Sequence, residues 1–128
     1  LVTGASSELV AATTTATEIG FIAGLTSSVQ TQLDARSVKP TVLVINSNTT
    51  LSANRVHLVD TSAARALTLP AVVADLILYV KDATGTSETN NITITPASGL
   101  IDGAASLVIN SNYASVTLIS DGTNFFSI

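Results

Sequence analysis

Between Thr15 and Ala35 the chain reads TATEIGFIAGLTSSVQTQLDA. Ile19, Ile22, Thr26, Val29 and Leu33 follow one another at steps of three, four, three and four residues, the a/d rhythm of a short coiled-coil seam. Thr15 followed by Glu18 has the form of a capping box and predicts where the helix begins. Beyond Pro40 the pattern changes to alternating Val, Ile, Leu and Thr interrupted by Asn, Asp and Gly, the pattern of strands and turns. A short helix with an oligomerising seam, leading into an all-β region, predicts that three chains make one object.

The predicted helix, residues 15–36, is a weak one by itself. Gly20 and Gly24 each cost it about 1 kcal/mol relative to Ala, and so few turns are marginal in isolation. Both features call for neighbouring helices, and Gly20, Ala23 and Gly24 are small enough to let them approach. Thr26 at a seam position suits a trimer, where its hydroxyl can bond back to its own helix. An amphipathic helix packed on its own domain is the competing reading. Residues 1–14, rich in Ala, Ser and Thr, read either as an extended linker along neighbouring chains or as a disordered terminus. Leu1 in place of an initiator Met is expected of a processed piece or of part of a longer protein.

Residues 41–128 form the third region, a β-domain. Strands are expected at Val42–Asn46, Arg55–Asp60, Ala66–Leu69, Asp75–Lys81, Asn91–Thr95, Ser106–Asn110, Ser115–Ser120 and Asn124–Ile128. Turn chemistry separates them at Asn46-Ser47-Asn48, Asp82-Ala83-Thr84-Gly85, Ser98-Gly99, Asp102-Gly103 and Asp121-Gly122. With no helical pattern between them, these short strands predict a mainly β fold: an antiparallel β-sandwich, a barrel, or an intertwined trimeric β-prism, preceded by the coiled-coil neck. Leu43-Val44-Ile45-Asn46-Ser47-Asn48 recurs as Leu107-Val108-Ile109-Asn110-Ser111-Asn112. Two equivalent corners of a duplicated half-domain would explain it, and so would chance in so narrow a composition.

That composition restricts function. Charged residues are 11% and aromatics 4%, while 46% are hydrophobic, with a mean hydropathy of +0.51. A monomer of this kind risks association, which favours apolar area buried between subunits. The net charge is −4, and Arg36, Lys39, Arg55, Arg65 and Lys81 do not cluster, so nucleic acid is not expected as a partner. No apolar run approaches the roughly 20 residues of a membrane-spanning helix. Without cysteine there is no disulfide scaffold, thiolate metal site or cysteine nucleophile.

No catalytic constellation assembles. His57 is the lone histidine and sits where alternation puts Arg55, His57 and Val59 on one face, which reads first as packing or surface. No G-x-S-x-G elbow accompanies the many serines. Asp102 and Asp121 are the obvious carboxylate pair for glycoside cleavage, yet each precedes Gly and reads as a turn residue. Asp82 with Glu88 is the nearest approach to a calcium loop, and Asp82-x-x-Gly85 is equally a good turn. No catalytic, cofactor-binding or metal residue is therefore expected. The glycines at positions 4, 20 and 24 form no phosphate cradle.

Taken together, Glu18, Ile19, Ile22, Gly24, Leu25, Thr26, Ser27, Val29, Gln30, Gln32, Leu33 and Asp34 resemble the helix that precedes a β-domain in fibre and baseplate proteins of tailed bacteriophages. The later phrases Leu69-Pro70-Ala71, Val80-Lys81-Asp82-x-x-Gly85, Asn90-Asn91-Ile92-Thr93-Ile94-x-Pro96, Ile101-Asp102-Gly103-Ala104-Ala105-Ser106 and Ser120-Asp121-Gly122-Thr123-Asn124 resemble the C-terminal β-modules of such fibres, so the resemblance runs from Glu18 to the end. The family often has Trp after the last phrase, where this chain has Phe125. The resemblance implies a homotrimer with a helical neck, located in the virion. The partners it implies are the other copies of the chain, other tail or head proteins, and a host-surface glycan or protein. A tail-fibre segment for host attachment is the leading expectation. A head, neck or collar fibre without receptor binding is the alternative, and a capsule-degrading enzyme a remote third.

Overall fold

The computed structural model describes Thr31 and Pro40–Ile128. The helix expected over 15–36, Thr31 apart, lies outside the described residues with its seam of Ile19, Ile22, Thr26, Val29 and Leu33, as does the linker over 1–14. Contacts divide the chain between Lys39 and Pro40, and the C-terminal unit is described by itself below.

That unit is built of nine strands: β1 (Thr41–Ile45), β2 (Thr49–Thr50), β3 (Arg55–Val59), β4 (Arg65–Thr68), β5 (Ala74–Asp82), β6 (Ile92–Thr95), β7 (Leu107–Ile109), β8 (Ser115–Asp121) and β9 (Phe125–Ser127). All eight expected strands are present within a residue or two of their expected ends. The additional strand, β2, is a two-residue piece paired with Leu67 and Thr68 of β4.

The strands form a five-stranded sheet in the order β1-β3-β5-β8-β9 and a four-stranded sheet in the order β2-β4-β6-β7. Consecutive strands from β1 to β6 alternate between the two sheets. Each coil therefore lays its strands parallel to those of the coil before: β1 on β3, β3 on β5, β2 on β4 and β4 on β6. Only the last part of the chain pairs antiparallel, β7 on β6, β8 on β5 and β9 on β8. The expectation of an antiparallel fold is thus corrected: both sheets are mixed, and both are open rather than closed into a barrel. Parallel strands need a crossover, usually a helix. Here a strand of the opposite sheet supplies it, so the lack of helical pattern did not exclude parallel pairing.

Period-2 alternation places the core. On β5, Leu76, Leu78, Val80 and Asp82 are buried while Ile77 and Tyr79 are exposed. Leu78 and Val80 join Val59, Leu118 and Phe125 of the same sheet, and Leu67, Ile92, Ile94 and Ile109 of the other, in one apolar cluster. Each fully buried Leu, Ile or Phe contributes roughly 1.5–3 kcal/mol. Phe125 is fully buried, so the aromatic side chain that follows Asn124 is a core residue.

The hexapeptide repeat does not mark a duplicated half-domain. Its first copy begins in β1, a parallel edge strand of one sheet, and its second in β7, an antiparallel edge strand of the other. What recurs is local: Asn48 Oδ1 accepts from the Ala66 amide at 2.9 Å, and Asn112 Oδ1 from the Glu88 amide at 2.9 Å.

Candidate functional site

At the end of β5 the chain enters the loop Asp82-Ala83-Thr84-Gly85-Thr86-Ser87-Glu88, which meets the turn 110–114 between β7 and β8. Alternation turns Asp82 inward, and its carboxylate is fully buried. One oxygen accepts from Thr61 Oγ1 (2.7 Å), the Thr84 amide (3.1 Å) and the Gly85 amide (2.9 Å). The other accepts from the Ser87 amide (3.2 Å) and the Tyr113 amide (3.0 Å). Burial alone would push this carboxyl up. The donors from Thr61, Gly85, Tyr113 and Ser87 outweigh it and hold Asp82 far below the usual carboxylate range.

Thr61, also fully buried, is the second centre of this knot. Its hydroxyl donates to Asp82 and lies 2.7 Å from Thr84 Oγ1 and 2.8 Å from Thr86 Oγ1. Its amide donates to Thr84 Oγ1, and its carbonyl accepts from Asn90 Nδ2 at 2.9 Å. Ser87 Oγ then ties the loop to the Ser111 carbonyl, and Asn112 and Glu88 bond reciprocally. Among the described residues no buried side-chain nitrogen or oxygen lacks a partner. A satisfied network of this kind makes a loop a fixed surface rather than a floppy one.

That surface carries Tyr113, 62% exposed with φ +59°. Its ring lies directly over Gly85, where a Cβ would come within 2.1 Å of the ring, so this position requires glycine unless the ring moves. Lys81 Nζ donates to the Tyr113 carbonyl and lies 5.8 Å from the ring centroid. The corner thus presents an aromatic ring, a cation and the amide and carboxylate of Asn112 and Glu88 to solvent. Such groups suit a polyhydroxylated or amide-rich surface, with stacking on the ring and hydrogen bonds at its rim.

The other residues singled out in the sequence fall elsewhere. Asp82 and Glu88 are not joined in a cation loop: the first has its oxygens filled by donors, and the second pairs with Asn112 at the surface. No cluster of three His, Cys, Asp or Glu exists among the described residues. Asp121 accepts from the amides of Thr123 and Asn124, both at 2.8 Å, an Asx turn that lowers its pKa. Asp102 receives the Ser127 amide and hydroxyl, fastening β9. Both carboxylates of the expected pair therefore hold turns and strand ends. His57 is fully buried between two backbone partners, with Nδ1 3.1 Å from the Tyr79 carbonyl and Nε2 accepting from the Ser52 amide at 3.2 Å. That arrangement places its proton on Nδ1, and burial lowers its pKa.

Sequence reasoning did not single out Thr61, Ser87 or the pairing of Tyr113 with Gly85. An Asp expected to point inward at the end of a strand needs several donors, and the Thr and Ser residues on its C-terminal side were the available signal. No protein-family model matches this chain, and no curated protein matches it.

Proposed function

We propose that the chain is a structural fibre protein of a bacteriophage virion, a homotrimeric tail-fibre segment that attaches the particle to a host surface. The corner built on Asp82 carries this reading. Its loop of small polar residues is pinned by three hydrogen bonds to one buried carboxylate, which also accepts from Thr61 and Tyr113, and the corner displays Tyr113 and Lys81 on a β-frame. The Thr15–Ala35 heptad pattern supplies the trimeric neck, and the phrases shared with fibre modules supply the particle context. In this arrangement the neck sets stoichiometry and register while the corner meets a host glycan or protein. Threefold display converts weak single contacts into avidity by raising the effective concentration of the second and third contact.

Antibody against the purified chain, applied to phage particles and viewed by negative-stain microscopy, tests this directly. Label on fibres of the tail is the expected result. Label at the head or collar would favour a decorating fibre without receptor binding. Absence of label from every particle that expresses the chain would refute a virion protein. Tyr113→Ala is expected to reduce adsorption of the purified chain to host cells while leaving its fold unchanged.

A further inference from the structure

The two sheets differ on their outward faces. On the four-stranded sheet the register Thr50–Thr68–Thr95 runs across β2, β4 and β6, a row of threonine suited to water. On the five-stranded sheet the outward row is Val42–Val56–Tyr79–Thr117, followed by Val44 and Leu58, and then by Ile77–Ile119–Phe126 across β5, β8 and β9. This second sheet is apolar on both faces, although only one of them meets the core. Val44 is 73% exposed, Val42 53%, and Ile77, Tyr79 and Phe126 close to 40%.

We infer that this outward face of the five-stranded sheet is where copies of the chain pack against one another. The inference rests on the trimer reading above and adds to it the surface responsible. Three observations select a copy of the chain as the occupant. The exposed side chains present on the order of 500 Å² of apolar surface, the scale of the largest patch tolerated on a monomer and the greater part of the ~800 Å² that each partner brings to a standard interface. Charge on this face is confined to its rim: Asp75 and Asp121 stand exposed at strand ends, and Lys81, opposite Leu58, lies near the end of β5. Copies with a net charge of −4 each meet less repulsion along such a sparsely charged surface.

Width is the third. Five strands about 4.8 Å apart make a sheet some 20 Å or more across. In a threefold assembly a face of this breadth is turned to the axis and shared between the like faces of two neighbouring copies. Packing along this face turns the threonine rows of the other sheet outward.

The test uses the full chain. Val44→Lys and Ile77→Lys place a charge on the face, and Val108→Lys places one on an exposed position of the other sheet. Light scattering is expected to show a multimer for the native chain and Val108→Lys. For the two face variants it should show a shift toward single chains at dilutions where the native assembly persists, a roughly 100-fold or greater rise in the dissociation constant. Circular dichroism checks that β-structure is retained. If Ile77→Lys does not fold, Val44→Lys decides, because that side chain stands clear of the core. Single cysteines give an independent readout, since the chain has none of its own: Ile77→Cys should cross-link between copies with a short bismaleimide, and Val108→Cys should not. A multimer unaffected by the face charges overturns this assignment and leaves the trimer reading standing. A native chain that is monomeric overturns both.

Discussion

Replacing Asp82 by Asn changes one atom and should cost more stability than almost any other conservative substitution in the β-domain. The side-chain volume is unchanged, but one acceptor oxygen becomes an NH2 group. If the amide keeps its oxygen toward Thr61, Thr84 and Gly85, the new donors face the amides of Ser87 and Tyr113, and those two bonds are lost. The opposite orientation loses three. A hydrogen bond to a buried charge is worth about 1.5–3 kcal/mol, and a buried amide left without an acceptor costs a comparable amount. The expected destabilisation is therefore about 3–6 kcal/mol, a large share of the 5–15 kcal/mol by which domains are usually stable. At roughly 4–8 °C per kcal/mol for a domain of this size, the melting temperature should fall by at least ~12 °C. The assay is thermal unfolding by circular dichroism at one fixed chain concentration, with amide exchange read at Ser87 and Tyr113. Glu88→Gln, at an exposed position of the same loop, should stay within about 0.5 kcal/mol of the native chain. An Asp82→Asn protein melting within a few degrees of native, with protection at both amides unchanged, would refute the role given to this carboxylate.

Other outcomes follow from the same geometry. His57 has a folded-state pKa below its ordinary value, chiefly through burial; the unfolded chain therefore takes up the proton first, and stability present above pH ~6.5 is lost as pH falls toward the folded value. Urea midpoints measured between pH 8 and pH 5 should show this loss in the native chain and a flatter profile in His57→Gln. Gly99→Ala should cost at least ~2 kcal/mol in urea unfolding, because φ is +74° and the added Cβ would lie 2.2 Å from the Thr123 carbonyl oxygen, a backbone atom with no easy way to move. Ile22→Asp, at a position of the proposed neck seam, should dissociate the assembly in sedimentation; a still-trimeric variant would show that the β-domain alone holds the copies together.

The strands were legible because Val, Ile, Leu and Thr alternate between turn residues with definite jobs. Asp121 before Gly122 and Asn46 to Asn48 mark corners that the structure contains. The direction of pairing was not legible. Thr41 lies opposite Arg55 but Val56 lies opposite Tyr79, so the second coil is longer than the first and no constant period reveals the stacking. β2 escaped notice because a two-residue strand has no alternation to read. The polar knot was half legible. Asp82 stood out as a turn residue, whereas Thr61, in the stretch Asp60-Thr61-Ser62, looks like any other turn threonine until the fold brings it beneath Thr84 and Thr86. The outward apolar rows were visible as composition, but only the register shows that they fall on one sheet.

Light scattering on the purified 128-residue chain tests the central claim most directly. Three copies of 13.0 kDa moving as one particle, stable on dilution, is the predicted result. A particle of 13.0 kDa at every concentration would contradict the fibre account.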